Sequence, residues 1–549
     1  MLRTDLSVLL QRGLAAAQAA GELPLLPQAD ILVERRGDAL ADYSTAEAMR
    51  LARSAQTSPR TIAEAIVRHT PASPAIAALD VAGPGFINLK LSDGWLVQQI
   101  DAVLAAGAAF GSSYLGGGRA VQVEFVSANP TGPLTVGGGR GGVVGDALAR
   151  LLAATGHTVV REYYINDAGR QIELLGESVF HHYAMAFDHR AEFPADGYKG
   201  AYIATWGAGI AREDGDRWLP RGGGRDVRGF EQRAVALALA DIRQDLDALD
   251  LQFDSWFSED GLRARGEVAD AIAFLASRGL VTQRDGATWF VGGAGMEDRE
   301  NVLVRSRGDP TYFAADIAYH RNKFETRKFE RVIDIWGADH HGHVPRMKAA
   351  VEALGIDPSR LEVLVTQMVG IRSGNGVARQ GKRSGNFVTL RELLDEVGPA
   401  ATRYFFLSKA IDSQMEFDLE LAKREDPENP VYYIQMAHAR CVGIQRTAAE
   451  APVRALSDFS RLGADEAGLV RQMLAYPEVV ADAALNREPH RLAHFLLEFA
   501  RMFHAYYNKN RVVTEDAVLT AARLRLVAAV RQVLANCLGL MGITAPERM

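Results

Sequence analysis

At 549 residues the chain is too long for one hydrophobic core, so three or four domains are expected, and an apolar content of 48% is enough to fill them. A net charge of −7 excludes a generally basic nucleic-acid coat, so an RNA partner must be held by local basic patches. Cys441 and Cys537 are the only cysteines and form no CxxC, which excludes a cysteine-zinc site and a disulfide scaffold and fits a reducing, cytoplasmic setting.

In chain order, the apolar N-terminus is interrupted by Asp5, Gln11 and Arg12 and reads as an amphipathic helix, not a leader. No apolar run reaches the roughly eighteen residues of a membrane span. Residues 1–112 read as a small α+β module with helices near 4–20, 44–55 and 60–70, then a hairpin around Asp80–Leu91. Phe86 and Asn88 share one side of its second strand. The segment GSSYLGGGR at 111–119 reads as a linker.

Residues 113–404 read as an α/β domain. Val121, Val123 and Phe125 alternate with Gln122 and Glu124, a strand by period. Pro130, Gly132 and Pro133 break it. Glycines then fill 137–139 and 141–142 around Arg140, before Val143, Val144, Ala147, Leu148, Leu151 and Leu152 recur at helical spacing. A strand, a glycine-rich turn and a helix form a phosphate cradle: bare backbone approaches the ligand closely and the helix N-terminus favours an anion. The same pattern also occurs without a ligand, and GGGRGG is neither GxGxxG nor GxxxxGK[ST].

A second strand is expected at Thr158–Ile165. The span from about 190 to 298 departs from the α/β pattern and reads as an insertion, with a helix at 230–249. The pattern resumes at 300 with the strand NVLVRS, a helix from Phe313, a buried strand at 331–337 and another at 361–371. The loops GADHHGH and RSGNGVARQGKRSGN follow the last two strands, and ligands in open α/β sheets bind at carboxyl ends of strands. Residues 405–549 are nearly all helical by period, with Pro427 and Pro430 at a joint, and read as a helical bundle.

Three segments carry candidate chemistry. In GADHHGH, Asp339, His340 and His343 suit polar contact with a sugar or substrate. A metal centre fits less well, because adjacent His340 and His341 point apart on a regular backbone. In the second loop Arg379, Lys382 and Arg383 offer three cations among glycines, suited to a mobile polyphosphate clamp. Tyr312 and Asp316 are i and i+4 on one helix and face the same way. With Glu124 and Asp339 they would make an acidic pocket, and paired carboxylates select a guanidinium. Each has a plain structural reading as well: a solvated loop or an exposed helix face.

Taken together, the segments VEFVSANPTGPL (123–134), REYYINDAGRQI (161–172), TYFAADIAYH (311–320), IDIWGADHHGHVPR (333–346), KRSGNFVTLRELLDEVG (382–398), NPVYYIQMAHAR (429–440) and the terminal APERM (545–549) give the chain a resemblance to the bacterial arginyl-tRNA synthetases, class I enzymes, along nearly its whole length. The resemblance implies a Rossmann-type parallel-sheet catalytic core with an insertion, an N-terminal module at the outer corner of tRNA, and a helical anticodon-binding module. It implies ATP-dependent activation of L-arginine and transfer to tRNA(Arg) by a monomer. Mg2+ accompanies ATP, and no protein-bound structural metal is expected. Position by position, it implies arginine contacts at Glu124, Asn129, Tyr312 and Asp316, and substrate or ribose contacts at Asp339 and His340. Thr135, Val136, Gly137, Gly138, Gly139, Arg140 and His343 fall at the ATP site. Lys382, flanked by Arg379 and Arg383, falls in the KMSKS-type loop. Phe86 and Asn88 fall at the outer-corner contact, and Tyr433, Met436 and Met549 at the anticodon contact.

Two departures stand out. The family's HxGH signature reads Thr135-Val136-Gly137-Gly138, so both histidines are absent. Losing one preorganised donor to a transition-state oxyanion costs about 3–4 kcal/mol, so the Thr135 hydroxyl, the Gly138 and Gly139 amides or Arg140 would have to substitute. The KMSKS-type loop reads Arg379-Gln380-Gly381-Lys382-Arg383, which keeps the charges but replaces a serine by glycine. The alternative reading is a synthetase-like protein that binds tRNA or arginine without forming adenylate.

Overall fold

The computed structural model describes residues 1–26, 30–38, 41–221, 226–292, 301–374, 376–378, 388–449 and 458–549. Helix α1 (Leu2–Ala19) buries Leu6, Leu10, Leu14 and Ala17 on one face. Strands β1 (Glu34–Asp38) and β2 (Ala41–Thr45) precede α2 (Glu47–Ala55) and α3 (Pro59–His69). Helix α3 starts where Ser58 accepts from the Thr61 amide and Pro59 presets the first turn. The hairpin of β3 (Ile76–Ala82) and β4 (Phe86–Leu91) completes an antiparallel sheet in the order β1-β2-β4-β3. Helix α4 (Asp93–Ala106) leads into 111–119, which is not a loose linker. The Gly116 and Gly118 amides donate to the Thr155 and Gly156 carbonyls at 2.7 and 2.8 Å, fixing the segment to the next domain.

The core of the next domain is a five-stranded, wholly parallel sheet. It starts with β5 (Ala120–Glu124), α5 (Val136–Ala154), β6 (Thr158–Ile165) and α6 (Arg170–Met185). Helices α7 (Ala201–Asp214) and α8 (Val227–Ala248) form a side layer with α6 around Trp206, Trp218 and Phe230. Then the chain returns to the sheet as β7 (Ser255–Ser258), paired with β6 from Glu162↔Ser255 to Ile165↔Ser258. The span 190–298 therefore does not stay outside the core: FDSWFSED is its edge strand. Helices α9 (Glu259–Ala264) and α10 (Glu267–Ser277) precede a small antiparallel sheet of β8 (Val281–Arg284), β9 (Ala287–Phe290) and β10 (Val302–Val304).

Helix α11 (Tyr312–Arg321), β11 (Arg331–Gly337), α12 (His343–Ala353) and β12 (Leu361–Thr366) finish the core in the order β12-β11-β5-β6-β7. The order reverses between β5 and β11, which places the ligand crevice above their carboxyl ends. The apolar run 361–371 is two strands, not one. It breaks after Thr366, and β13 (Val369–Ser373) leaves to form a second sheet with β14 (Gly376–Ala378) and, in parallel, β15 (Met415–Asp418). Residues 379–387, which lie outside the described residues, thus follow in sequence a strand outside the main sheet. Helix α13 (Leu390–Leu407) kinks at Gly398, φ +74°, ahead of Pro399.

After α14 (Leu419–Lys423) the C-terminal module packs α15 (Pro430–Ala449), α16 (Ala464–Asn486), α17 (His490–Lys509) and α18 (Ala517–Leu540) as a bundle. The N-terminal module docks on it: Arg3 pairs with Asp482 at 2.8 Å, the Tyr43 hydroxyl donates to Glu478 at 3.0 Å, and α4 lies against α16 and α18. Among the described residues no helix is long and apolar enough to cross a membrane.

Candidate active site and anticodon groove

The glycine-rich segment belongs to a helix, not to a turn. Helix α5 begins at Val136, capped by the Thr135 hydroxyl, which accepts from the Gly138 amide at 3.1 Å. Its inner glycines exist for packing. A Cβ at Gly139 would meet Leu390 at 2.5 Å, at Gly142 would meet Leu251 at 2.8 Å and Val126 at 2.9 Å, and at Gly145 would meet Phe125 at 2.3 Å. That close approach presses the end of β5 onto α5. It also holds Val126 and Ser127 at φ +66° and +38°, a backbone conformation β-branched valine rarely adopts. By contrast, among the described residues Cβ atoms at Gly137 and Gly138 would meet only the Thr135 oxygen, at 4.0 and 3.5 Å. These two glycines are half-buried at the N-terminus of a 19-residue helix.

The expected substitutes for the missing histidines are sorted by this geometry. The Gly138 amide is taken by the cap and the Gly139 amide by the Thr135 carbonyl at 2.9 Å. Arg140 is fully buried and donates to the carbonyls of Ala410, Ser413 and Gln367 at 2.7, 2.9 and 3.2 Å. It ties α5 to the segments after β12 and α13, so the expectation that it meets ATP is withdrawn. The Gly137 amide has no partner among the described residues, and Val136 is buried beneath it.

The acidic pocket forms around Asp316. Helix α11 is capped by Thr311, which accepts from the Ala314 amide, and this start sets Tyr312 and Asp316 on one face. Asp316 has no hydrogen-bond partner for its carboxylate among the described residues. Burial, with Glu259 and Glu124 nearby, pushes its carboxyl up to about 7, against the pull of His320 and Arg346. Tyr312 stands at the mouth, 38% exposed, its phenol pushed up by burial and by Glu259. Glu259 is a residue that sequence reasoning missed. It is buried at the start of α9, right after the edge strand β7, and Arg263 donates to it at 2.6 and 2.8 Å. Its only sequence signal is an acidic pair following an aromatic strand, in a span read as insertion.

Glu124 lies at the end of β5 and is held from both sides. Ser127 donates to it at 2.9 Å, and the fully buried Lys323 donates to it at 2.6 Å. Lys323 sits in a π-helical turn, Asn322–Thr326, that continues α11, and its second partner is Asp334 on β11 at 2.8 Å. His320 Nε2 faces Asp334 at 2.9 Å and His320 Nδ1 faces the Asp316 carbonyl at 2.8 Å. Burial opposes the Asp334 charge, but Lys323 and His320 outweigh it and hold its carboxyl at about 2. Burial pushes Glu124 the other way, upward, despite Lys323. This network locks α11 onto the sheet and so fixes where Asp316 points.

Asp339 does not join the acid pocket. Its side chain is 81% exposed on the rim, 3.6 Å from His340 Nε2. His340 lies between Trp336 and His343, ring centroids 6.4 and 5.9 Å away, and Arg346 donates to His343 Nδ1 at 2.5 Å. Asn129 is half-buried in the loop after β5. Arg379, Lys382 and Arg383 lie outside the described residues. The helix that follows them is joined to the glycine helix by a Thr135–Thr389 bridge and by the Leu390 amide on the Leu134 carbonyl at 2.8 Å.

At the far end of the molecule Met436 and Met549 line one groove of about 1000 Å3, with Arg440, Lys509, Arg511 and Arg548 around it. Arg440 lies over the Tyr507 ring, 4.8 Å from its centroid, and both line the groove. Tyr433 does not. It packs on His504 at 4.3 Å between ring centroids. On the N-terminal module Phe86 and Asn88 are half-buried on β4, and the Asn88 side-chain oxygen is buried with no partner among the described residues.

A parallel sheet with its crevice at an order reversal, a glycine-faced helix start beside an acid pocket, and a helical module with a basic groove together define a class I aminoacyl-tRNA synthetase. Residues 99–193 and 221–415 match the family model for the class I (R) synthetase catalytic domain, residues 8–91 that for the arginyl-tRNA synthetase N-terminal domain, and residues 434–549 that for the DALR anticodon-binding domain. The arginine–tRNA ligase of Moorella thermoacetica is 46% identical over 548 residues, covering 97% of each chain, and that of Geobacter sp. strain M21 is 45% identical over 556 residues, covering 100% of each. The Thermus thermophilus arginyl-tRNA synthetase structure superposes with a TM-score of 0.77 at 25% identity, covering 100% of both chains. The chain belongs to the arginyl-tRNA synthetase family.

Proposed function

We infer that this chain is an arginine–tRNA ligase. The arginine carboxylate attacks the α-phosphorus of ATP to give arginyl-adenylate and diphosphate. The terminal ribose hydroxyl of tRNA(Arg) then takes the arginyl group, losing its proton, and AMP leaves. The observation that carries this reading is the unpartnered Asp316 carboxylate, set with Glu259 and Glu124 beside the Tyr312 phenol at the crevice. Desolvated carboxylates repel one another, and a guanidinium relieves the repulsion, because it stays charged and forks onto carboxylate oxygens.

The residues divide the work. Asp316, Glu259 and Tyr312 receive the guanidinium. Glu124, aligned by Lys323 and Ser127, and Asn129 receive the ammonium end and orient the carboxylate. Gly137 and Gly138 let the triphosphate close on the helix start, and the Gly137 amide and Thr135 hydroxyl donate there. His343 and the cations Arg379, Lys382 and Arg383 balance charge that builds as diphosphate departs. Asp339 and His340, on the rim, meet the ribose. Mg2+ travels with ATP and neutralises phosphate charge. Met436, Met549 and the arginines of their groove receive the anticodon, and Phe86 and Asn88 the outer corner of the tRNA. The enzyme acts as a monomer in the cytoplasm.

Arginine- and tRNA-dependent ATP–diphosphate exchange, run beside charging of bulk tRNA, tests the reading. Exchange and charging together support it. The loss of both HxGH histidines favours one competing reading, a synthetase-like binder without adenylation. That reading gains if arginine and tRNA bind but neither exchange nor charging is seen.

A further inference from the structure

We propose that the cleft between the rear edge of the parallel sheet and the end of α16 binds a phosphate-bearing ligand. The cleft measures about 290 Å3 and gathers Arg119, Arg331 and Arg487 around His157, beside Leu115 and Leu485. It lies at the amino ends of β5 and β11, the opposite end of the strands from the Asp316 crevice.

The loop that supplies it is built, not merely connecting. A Cβ at Gly116 would sit 2.4 Å from the His157 ring, and Gly117, Gly118 and Gly156 take φ values of +58°, +76° and +85° to wrap the chain around that imidazole. His157 Nδ1 is turned inward to the Leu152 carbonyl at 3.1 Å and the Thr155 hydroxyl at 3.3 Å, so Nε2 is its outer edge. Arg119 is fastened by carbonyls, with Nε on Gly116 at 3.0 Å and an Nη on Leu115 at 3.3 Å, and has no carboxylate partner among the described residues. Arg487, at φ +59°, is forked onto Glu362 at 2.8 and 3.0 Å, and Arg331 shares that carboxylate. Glu330 is the one carboxylate among the residues that line the cleft, while Glu362, which holds Arg331 and Arg487, stands outside that lining. Burial first, and then the three arginines, weaken the hold of His157 on a proton.

Three guanidinium groups arriving from three elements suit a tetrahedral group with several terminal oxygens better than a planar carboxylate. A seated phosphate relieves their mutual repulsion and turns His157 Nε2 into a fourth donor. The leucines accommodate the organic body of a phosphate ester or a sugar of an RNA backbone.

The experiment uses full-length protein carrying 13C at histidine Cε1, titrated with inorganic phosphate against chloride at constant ionic strength. The resonance of His157, assigned by its loss in His157→Gln, should move saturably, with its apparent pKa rising by about one unit. Arg119→Ala should weaken that response about tenfold while leaving arginine-dependent exchange unchanged. A His157 resonance indifferent to phosphate, or equally responsive in Arg119→Ala, overturns the proposal. Deacylated tRNA then separates the two sources. Displacement of phosphate from His157, with a raised tRNA KM in Arg119→Ala, identifies a backbone phosphate. Phosphate binding untouched by tRNA identifies a free phosphate ester. Either result supports the site.

Discussion

Asp316 shows how one side chain trades stability for recognition. Its carboxyl is pushed from the ordinary 3.8 to about 7, so the folded chain holds that proton more tightly than the unfolded one. The stabilisation is fully present below about 3.8 and is lost as pH rises toward 7, at most about 4 kcal/mol. Asp316→Asn should therefore melt above the parent at pH 8 without arginine, and the order should reverse in saturating arginine. Thermal melts in both conditions check this. The same variant should lose about 3 kcal/mol of arginine binding, roughly a hundredfold in KM, with the ATP KM nearly unchanged. Since the ionised carboxylate is the binding form, kcat/KM for arginine should climb with pH and level off above about 7. A flat profile from pH 5.5 to 8 would count against Asp316. The shared helix face of Tyr312 and Asp316 was legible from i, i+4 spacing, whereas their assignment to an arginine pocket came only with the family resemblance. Glu259 was not, since its approach depends on β7 rejoining a sheet some ninety positions after β6, and no local pattern carries that information.

At the scale of the element, α5 carries the least legible feature of the sequence. Its glycines look alike in one dimension, and the reading as a phosphate-binding turn treated them alike. In three dimensions they divide into Gly137 and Gly138, which among the described residues meet only the Thr135 oxygen, and Gly139, Gly142 and Gly145, which sit under Leu390, Val126 and Phe125. Only the partner element decides which, and partners are set by long-range pairing. Strand ends, by contrast, were read well where one periodic run stays in one sheet, as in β6 and β11, and badly at 361–371, where one apolar run serves two sheets. The division makes a paired prediction. Gly145→Ala should destabilise by about 1–3 kcal/mol through overpacking against Phe125. Gly138→Ala should be neutral or stabilise by up to about 1 kcal/mol, because a helical glycine gains from a methyl group where nothing clashes. That methyl group would stand where the triphosphate approaches, so the ATP KM should rise while the melting temperature does not fall. Equal loss of stability in both variants would reject the division.

Across the whole molecule, charge is distributed against the net. The chain carries −7, yet the groove between α15, α17 and the C-terminus is lined by Arg440, Arg446, Lys509, Arg511 and Arg548 against Glu547. Local excess of this kind attracts a polyanion without making the whole surface sticky. The groove is mechanically joined to the catalytic core through Arg403 of α13, buried and donating to the Met541 carbonyl at 2.7 Å, to the Leu249 carbonyl at 2.6 Å and to Asp146 of α5. The terminus that lines the groove is thus tied to the helix whose start faces the crevice. Arg511→Ala separates recognition from that tie, because Arg511 lines the groove and touches none of the Arg403 contacts. Charging kinetics should show a tRNA KM raised about five- to tenfold and a salt dependence shallower by about one unit of slope, the loss of one phosphate contact. The arginine KM in exchange should not move. If it rises in step with the tRNA KM, the groove and the crevice act as one energetic unit, and the independence of the two sites is refuted.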